Sequence, residues 1–294
     1  MIWVDGRSGE PVAESEARRR MLSARVVLVG EKHAEARSMA THAAVLSMLS
    51  DEARTSTVAV EWLPHSARLA VNGWLASEEP AEALGEAVGW ARVWGHDLEA
   101  YEPVLEAVRR LGYGLAPVNA EPGLARLVAR HGPGGVPPER APELPPLDTG
   151  NAAHRAWFYG VMEQLHAAGH GHGHGGGHGQ AGGQAQGPDE LLERLYLAQL
   201  VWDESMARRV VGLSTEVARV IVFAGSGHVG FGFGIPERLG ALDKLVVLPA
   251  ESLADARSRA LDAPLSDGRG EAGARLREAD LFAVIGDGRV AGSR

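Results

Sequence analysis

The chain has 294 residues, 45% of them hydrophobic and 23% charged, enough apolar content to bury a core and too little charge bias for a disordered polymer. Its formal charge of −9, from 29 basic and 38 acidic residues, leaves no basic face for phosphate neutralisation and argues against a nucleic-acid partner. Cysteine is absent, which excludes disulfides, thiolate metal sites, a Cys nucleophile and thioether haem attachment, so any metal must use His, carboxylates or Tyr.

Arg25–Val29 reads as a strand that ends at Gly30 and turns into a helix, since Met39, Ala43, Leu46 and Leu49 recur at helical spacing. Thr57–Val60 reads as a second strand, running into Glu61 and Trp62, with Pro64 opening a helical stretch. Residues 81–111 read as helical, Glu99 to Arg110 being the better half, and Leu115–Val118 as a third strand weakened by Pro117. Residues 131–149 form a Pro/Gly-rich connection. Asn151–Ala168 resumes a helix, residues 169–187 are a His/Gly-rich flexible insertion, and Asp189–Leu213 is a long helix with Leu191, Leu195, Ala198, Trp202 and Met206 on its apolar stripe. Arg219–Ala224 and Lys244–Leu248 give a fourth and a fifth strand, and Asp280–Ile285 a closing edge strand.

Strands alternating with helices predict an α/β fold, a mostly parallel sheet flanked by helices, with an inserted helical, bundle-like subdomain over the C-terminal strand ends. The sheet domain comprises residues 1–63, 112–130 and 214–294, and the helical subdomain 64–111 and 150–213. No apolar run is long enough to span a membrane, and the N-terminal residues lack a leader pattern; as written, the chain reads as cytoplasmic.

Polar residues of a reactive kind close four of the apolar runs: Glu31 and His33, Glu61, Asn119 and Glu121, and Gly225 to His228. Ligands of open parallel sheets bind outside the carboxyl ends of the strands, so these groups are expected to share one crevice. Each alone has an ordinary explanation, as a capping residue or a turn residue; their recurrence at equivalent strand ends carries the argument. Gln199, Trp202 and Asp203, at i, i+3 and i+4, share one face of the long helix and are expected to close the crevice and order its His residues.

Five separated motifs then occur in order: Gly30-Glu31-Lys32-His33 with His42, Val60-Glu61, Asn119, the run from Gln199 to Ala207, and Gly225-Ser226-Gly227-His228 followed by Gly234-Ile235-Pro236 and Arg238. In these motifs residues 23–240 resemble the ChaN family of haem-binding uptake proteins, part of a superfamily shared with Tiki metalloproteases, TraB proteins and erythromycin esterases. The resemblance implies a two-part fold and haem held near a homodimer interface through Tyr and His. Tyr159 and Tyr196 are the candidate tyrosines; His166, His170, Asn119, Gln199, Trp202, Asp203 and Gly225 are further cofactor contacts. Haem binders of this type look exported, so a start further upstream would make the protein periplasmic or surface-attached.

Two other readings stay open. Glu31, His33, Glu61 and His228 could act catalytically, with His33, Glu61 and His228 holding a divalent Mn, Co or Zn ion in an esterase- or protease-like hydrolase. His172, His174 and His178, with their Gly-rich surroundings, could capture metal on their own as a store or chaperone.

Overall fold

A computed structural model describes residues 1–167, 188–260, 263–264 and 275–285, without the side chains of 167, 188, 263–264 and 275–276. The strands are β1 (Ile2–Asp5), β2 (Pro11–Val12), β3 (Val26–Glu31), β4 (Ser56–Pro64), β5 (Gly114–Asn119), β6 (Arg219–Gly225), β7 (Lys244–Ala250), β8 (Ala263–Pro264), β9 (Arg275–Leu276) and β10 (Leu281–Val284). The helices are α1 (Glu14–Ser23), α2 (Ala36–Met48), α3 (Arg68–Leu75), α4 (Ala81–Val88), α5 (Trp90–Val93), α6 (Glu102–Leu111), α7 (Leu124–His131), α8 (Ala152–Ala167), α9 (Pro188–Leu213), α10 (Ile235–Arg238) and α11 (Leu253–Ala260).

Eight strands form one sheet in the order β2-β1-β10-β7-β3-β6-β4-β5. From β10 to β5 every pairing is parallel, while β1 and β2 join antiparallel. Helices cover both faces, which is why β3 and β6 are buried at every residue and read as unbroken apolar runs. Val27, Val29, Val60 and Phe223 face a cluster built with α1 to α6; Leu28, Ala59, Val222 and Ala224 face one built with α9, α10 and α11. Smaller clusters join α9 to α7 and to α8. The fold is α/β as the alternation of elements predicts, with the helical segments inserted after the C-terminal ends of β4 and β5.

Three elements differ from the sequence reading. The expected edge strand at 280–285 lies inside the sheet, because the N-terminal β1, too short to show a period, pairs with β10 and covers it. The stretch at 81–111 is split into α4, α5 and α6: Gly89 ends α4 at φ +66° and Gly95 follows α5 at φ +83°, values only glycine adopts freely. Pro117 is accommodated because β5 is the outermost strand, pairing only with β4, where a missing N–H costs no ladder bond. No helix among the described residues is long and apolar enough to cross a membrane.

The topology positions the site. The chain leaves β3 outward to β4 and β5, whereas from β6 it crosses back over β3 to β7, so the winding reverses beside β3 and β6. Since β3, β6 and β4 are adjacent and parallel, Glu31, Gly225 and Glu61 arrive side by side at one edge; Glu31 is the direct register partner of Gly225.

Candidate functional site at the carboxyl edge of the sheet

Glu31 ends β3 with its carboxylate inside the protein. Trp62 donates its indole N–H to Oε2 at 3.0 Å, His33 Nδ1 stands 2.8 Å from Oε1, and the Tyr101 hydroxyl lies 3.4 Å from the same oxygen. Burial pushes the Glu31 carboxyl up from its ordinary value. Burial works against a charged His33 ring, but the bond to Glu31 and the charges of Glu61 and Glu31 outweigh it, so the ring holds its proton above the usual range. The turn carrying His33 puts Ala34 at φ +57°, unusual for a residue with a Cβ, and the Ala34 N–H is tied at 2.9 Å to the Tyr101 oxygen. Trp94 meets the His33 ring edge-on at 4.7 Å, and the His96 ring lies 5.1 Å away.

Across Gly225, Glu61 accepts the Gly225 N–H at 2.6 Å through Oε2, while its Oε1 lies 3.4 Å from His228 Nε2. The other ring nitrogen of His228 is 2.6 Å from Asp203 Oδ1 and 2.9 Å from the Gln199 amide. Burial disfavours both charges, yet each stabilises the other: Glu61 is held down to about 2, and His228, between Glu61 and Asp203, is raised to about 10. The pair is a buried carboxylate–imidazolium contact. Behind it His42 is fully buried, stacked on Phe223 at 3.9 Å, and burial drops its pKa to about 3.

Glu31, His33, Glu61, Gly225, His228, Gln199 and Asp203 therefore surround one place. Trp202 is edge-on to His228 at 6.2 Å. Asn119 acts locally, donating to the Glu61 carbonyl at 2.7 Å while its own oxygen accepts the Ala120 N–H. The two tyrosines lie elsewhere. Tyr196 is fully buried between α8 and α9, and Tyr159 is half-buried, its hydroxyl donating to Glu193 at 2.6 Å. His166 is exposed near the end of α8, whereas His170, His172, His174 and His178 fall outside the described residues. Trp62, Trp74, Trp90 and Trp94 are buried core residues, not walls of an open cleft.

Tyr101 and His96 were missed by sequence reasoning, and Trp94, which the tryptophan-rich helical segments offered only as an aromatic wall for a flat ligand, packs on His33 instead. They come from the α5–α6 region, far along the chain, and no spacing rule links them to His33. Among the described residues no group of three or more His, Asp or Glu side chains is arranged to hold a metal ion. The reason is visible: both His228 nitrogens, His33 Nδ1 and Glu61 Oε2 already have protein partners.

Fold and site together define an α/β protein that gathers imidazoles and carboxylates at the switch point of a parallel sheet. The chain belongs to the haem-binding uptake, Tiki superfamily, ChaN family, whose family model matches residues 17–239. Among solved structures it is similar to ChaN of Campylobacter jejuni, a study of cofacial haem binding, with 18% identity over 96% of this chain and 95% of that one and a TM-score of 0.68. Weaker likenesses are the type III effector HopBA1, 14% identical over 92% of each chain with a TM-score of 0.48, and a mutant of the erythromycin esterase EreC, 13% identical over 85% of this chain and 77% of that one with a TM-score of 0.45. No curated protein matches the sequence.

Proposed function

We propose that the protein binds haem at the rim formed by the β3–α2 and β6 turns, with His33 Nε2 as the donor to iron. The observation that carries this is the asymmetry of His33. Its Nδ1 is held by the buried Glu31 carboxylate, Nε2 has no hydrogen-bond partner among the described residues, and the side chain keeps 19% exposure. A carboxylate on the far nitrogen fixes the ring and raises its basicity, an arrangement common to metal-ligating imidazoles. The donor chemistry fits: a Cβ on Gly225 would stand 3.2 Å from His33 Nε2 and 3.5 Å from Glu61 Oε2, and only glycine leaves that approach clear. Nearby, Trp157 and Phe231 are half-buried aromatic surfaces beside the Gly227 turn.

Bound haem supplies an iron centre that accepts the imidazole lone pair. This chain's residues do the rest. Glu31 orients His33, Tyr101 locks the turn that presents it, and the buried Glu61–His228 pair stands beside the ring across Gly225. The family and the cofacial binding described for the C. jejuni protein support a homodimer that brings the rims of two chains together. Because His33 must lose a proton to ligate iron, affinity for hemin falls as pH drops below its raised pKa.

Hemin titration followed by the Soret band tests the reading. Saturable binding at one haem per chain is expected, lost in His33→Ala and retained in Tyr159→Phe. The reverse pattern would move the haem to the outer side of α8 and remove it from the rim.

A further inference from the structure

After the turn that carries His228 the chain alternates glycine with phenylalanine, Gly230-Phe231-Gly232-Phe233-Gly234. Its backbone is left-handed at three of these positions, with φ of +58° at Phe231, +77° at Gly232 and +63° at Gly234. Glycine adopts such values freely, whereas a bulky side chain does so only under strain. Phe231 is held there by its own N–H, which donates to the Glu278 carbonyl at 3.0 Å, and by the Phe233 N–H, which donates to the Gly230 carbonyl at 3.0 Å.

Core packing does not account for a phenylalanine at this strained position. Phe231 joins none of the hydrophobic clusters that hold the fold together; its ring is half-buried and lies 5.8 Å from Trp157 and 6.5 Å from Phe233. Phe233 closes the inner side, buried and stacked on His154 at 5.1 Å with the planes 11° apart. Trp157, 5.9 Å from Phe233, is half-buried like Phe231. The rings thus grade from a sealed inner pair to an outer pair that keeps accessible surface. This outer pair adjoins the crevice. A Cβ on Gly227 would stand 4.0 Å from Trp157 Cη2 and one on Gly225 3.0 Å from His33 Cε1, so Trp157 and His33 border the two ends of the single turn Gly225-Ser226-Gly227. Strained backbone of this kind gathers at ligand clamps, and aromatic side chains attract flat π systems by offset or edge-on stacking.

We propose that Phe231 and Trp157 are specificity-determining residues that stack on a tetrapyrrole macrocycle, so that the rim recognises the porphyrin ring itself as well as its iron. The inference rests on the haem reading above: His33 takes the metal, and this wall takes the ring. It makes the metal-free porphyrin a ligand of the same site.

Metal-free protoporphyrin IX, titrated into the full chain and followed by its own fluorescence, isolates the ring contact because it offers His33 no iron. Saturable binding is expected, unchanged in His33→Ala, weakened roughly 2–10-fold in Phe231→Gly and retained in Phe231→Tyr. Phe231→Gly relieves the left-handed strain, so it should melt no lower than wild type; a lower melting temperature would show that the ring serves packing and would overturn the inference. Equal affinity in Phe231→Gly, or an equal loss in Phe231→Tyr, overturns it as well. Failure of metal-free protoporphyrin to bind wild type refutes the wall and leaves iron ligation by His33 standing. Phe231-dependent binding together with an unaltered hemin Soret band in His33→Ala upholds the wall and removes the His33 reading. Sedimentation of the ligand-free proteins covers the remaining occupant: a shift toward monomer in Phe231→Gly would make the ring a contact between copies of this chain and refute the proposal.

Discussion

Replacing His42 with Phe should make the protein less sensitive to acid. The ring is fully buried on α2, stacked nearly parallel on Phe223, and neither nitrogen has a hydrogen-bond partner among the described residues. Burial holds its pKa at about 3, against ~6.5 in an unfolded chain. Between those values the unfolded protein takes up a proton that the folded one refuses, so this residue costs no stability at pH 8 and a growing amount as pH falls through ~6.5. At pH 5 the cost is ~1.5 pKa units, or about 2 kcal/mol at 1.36 kcal/mol per unit. For a chain of this size that is a melting shift of roughly 3 °C. Phenylalanine keeps the stack and breaks no hydrogen bond. Thermal unfolding of both proteins at pH 8 and pH 5 measures the difference: wild type should lose about 2 kcal/mol more than the variant. Parallel pH curves would refute the reasoning and would mean that Glu31, whose Oε2 lies 3.6 Å from His42 Nε2, shares the proton in the folded state.

Glu61→Gln should destabilise the protein by roughly 1–3 kcal/mol, because it removes one of the two carboxylates that hold the buried His228 and leaves only Asp203 beside the ring. The pair's pH window follows from His228, whose pKa rises to about 10 on folding: its stabilisation is complete below ~6.5 and drains away as pH climbs through 10. Denaturant titrations should show that alkaline loss in wild type and a flatter curve in the variant; identical slopes would count against the charged pair. Gly225→Ala pushes a methyl to 3.0 Å from His33 Cε1 and is expected to cost roughly 1–3 kcal/mol while weakening hemin binding, seen as a displaced His33 in the crystal and a smaller Soret change. Trp62→Phe removes the indole donor at 3.0 Å from Glu31 and should cost roughly 1–3 kcal/mol by urea unfolding, a neutral result implying that this carboxylate is not anchored there.

Much of the frame was legible from local pattern. The apolar runs around Val27, Val58 and Val222 announced buried parallel strands, and the polar residues that close them announced the rim, because strand ends in such sheets converge whatever lies between them. The spacing of Gln199, Trp202 and Asp203 likewise puts them on one helix face without any coordinates. Less legible were β1, a four-residue strand whose partner is 280 residues on, and the aromatic groups around Glu31. Tyr101, Trp94 and His96 look like core and loop residues until α5 and α6 are folded against β4.

What residue types alone determined was the inventory: imidazoles and carboxylates at strand ends, no thiol, and motifs in the order of one family. Tertiary structure decided their states. It made His228 a doubly held cation, left His42 neutral, gave His33 one tied and one untied nitrogen, and sealed Tyr196 inside while Tyr159 stayed near the surface. The physical reason is that protonation and access depend on burial and on which charges stand within a few ångströms, and both are set by contacts between residues that the chain keeps far apart.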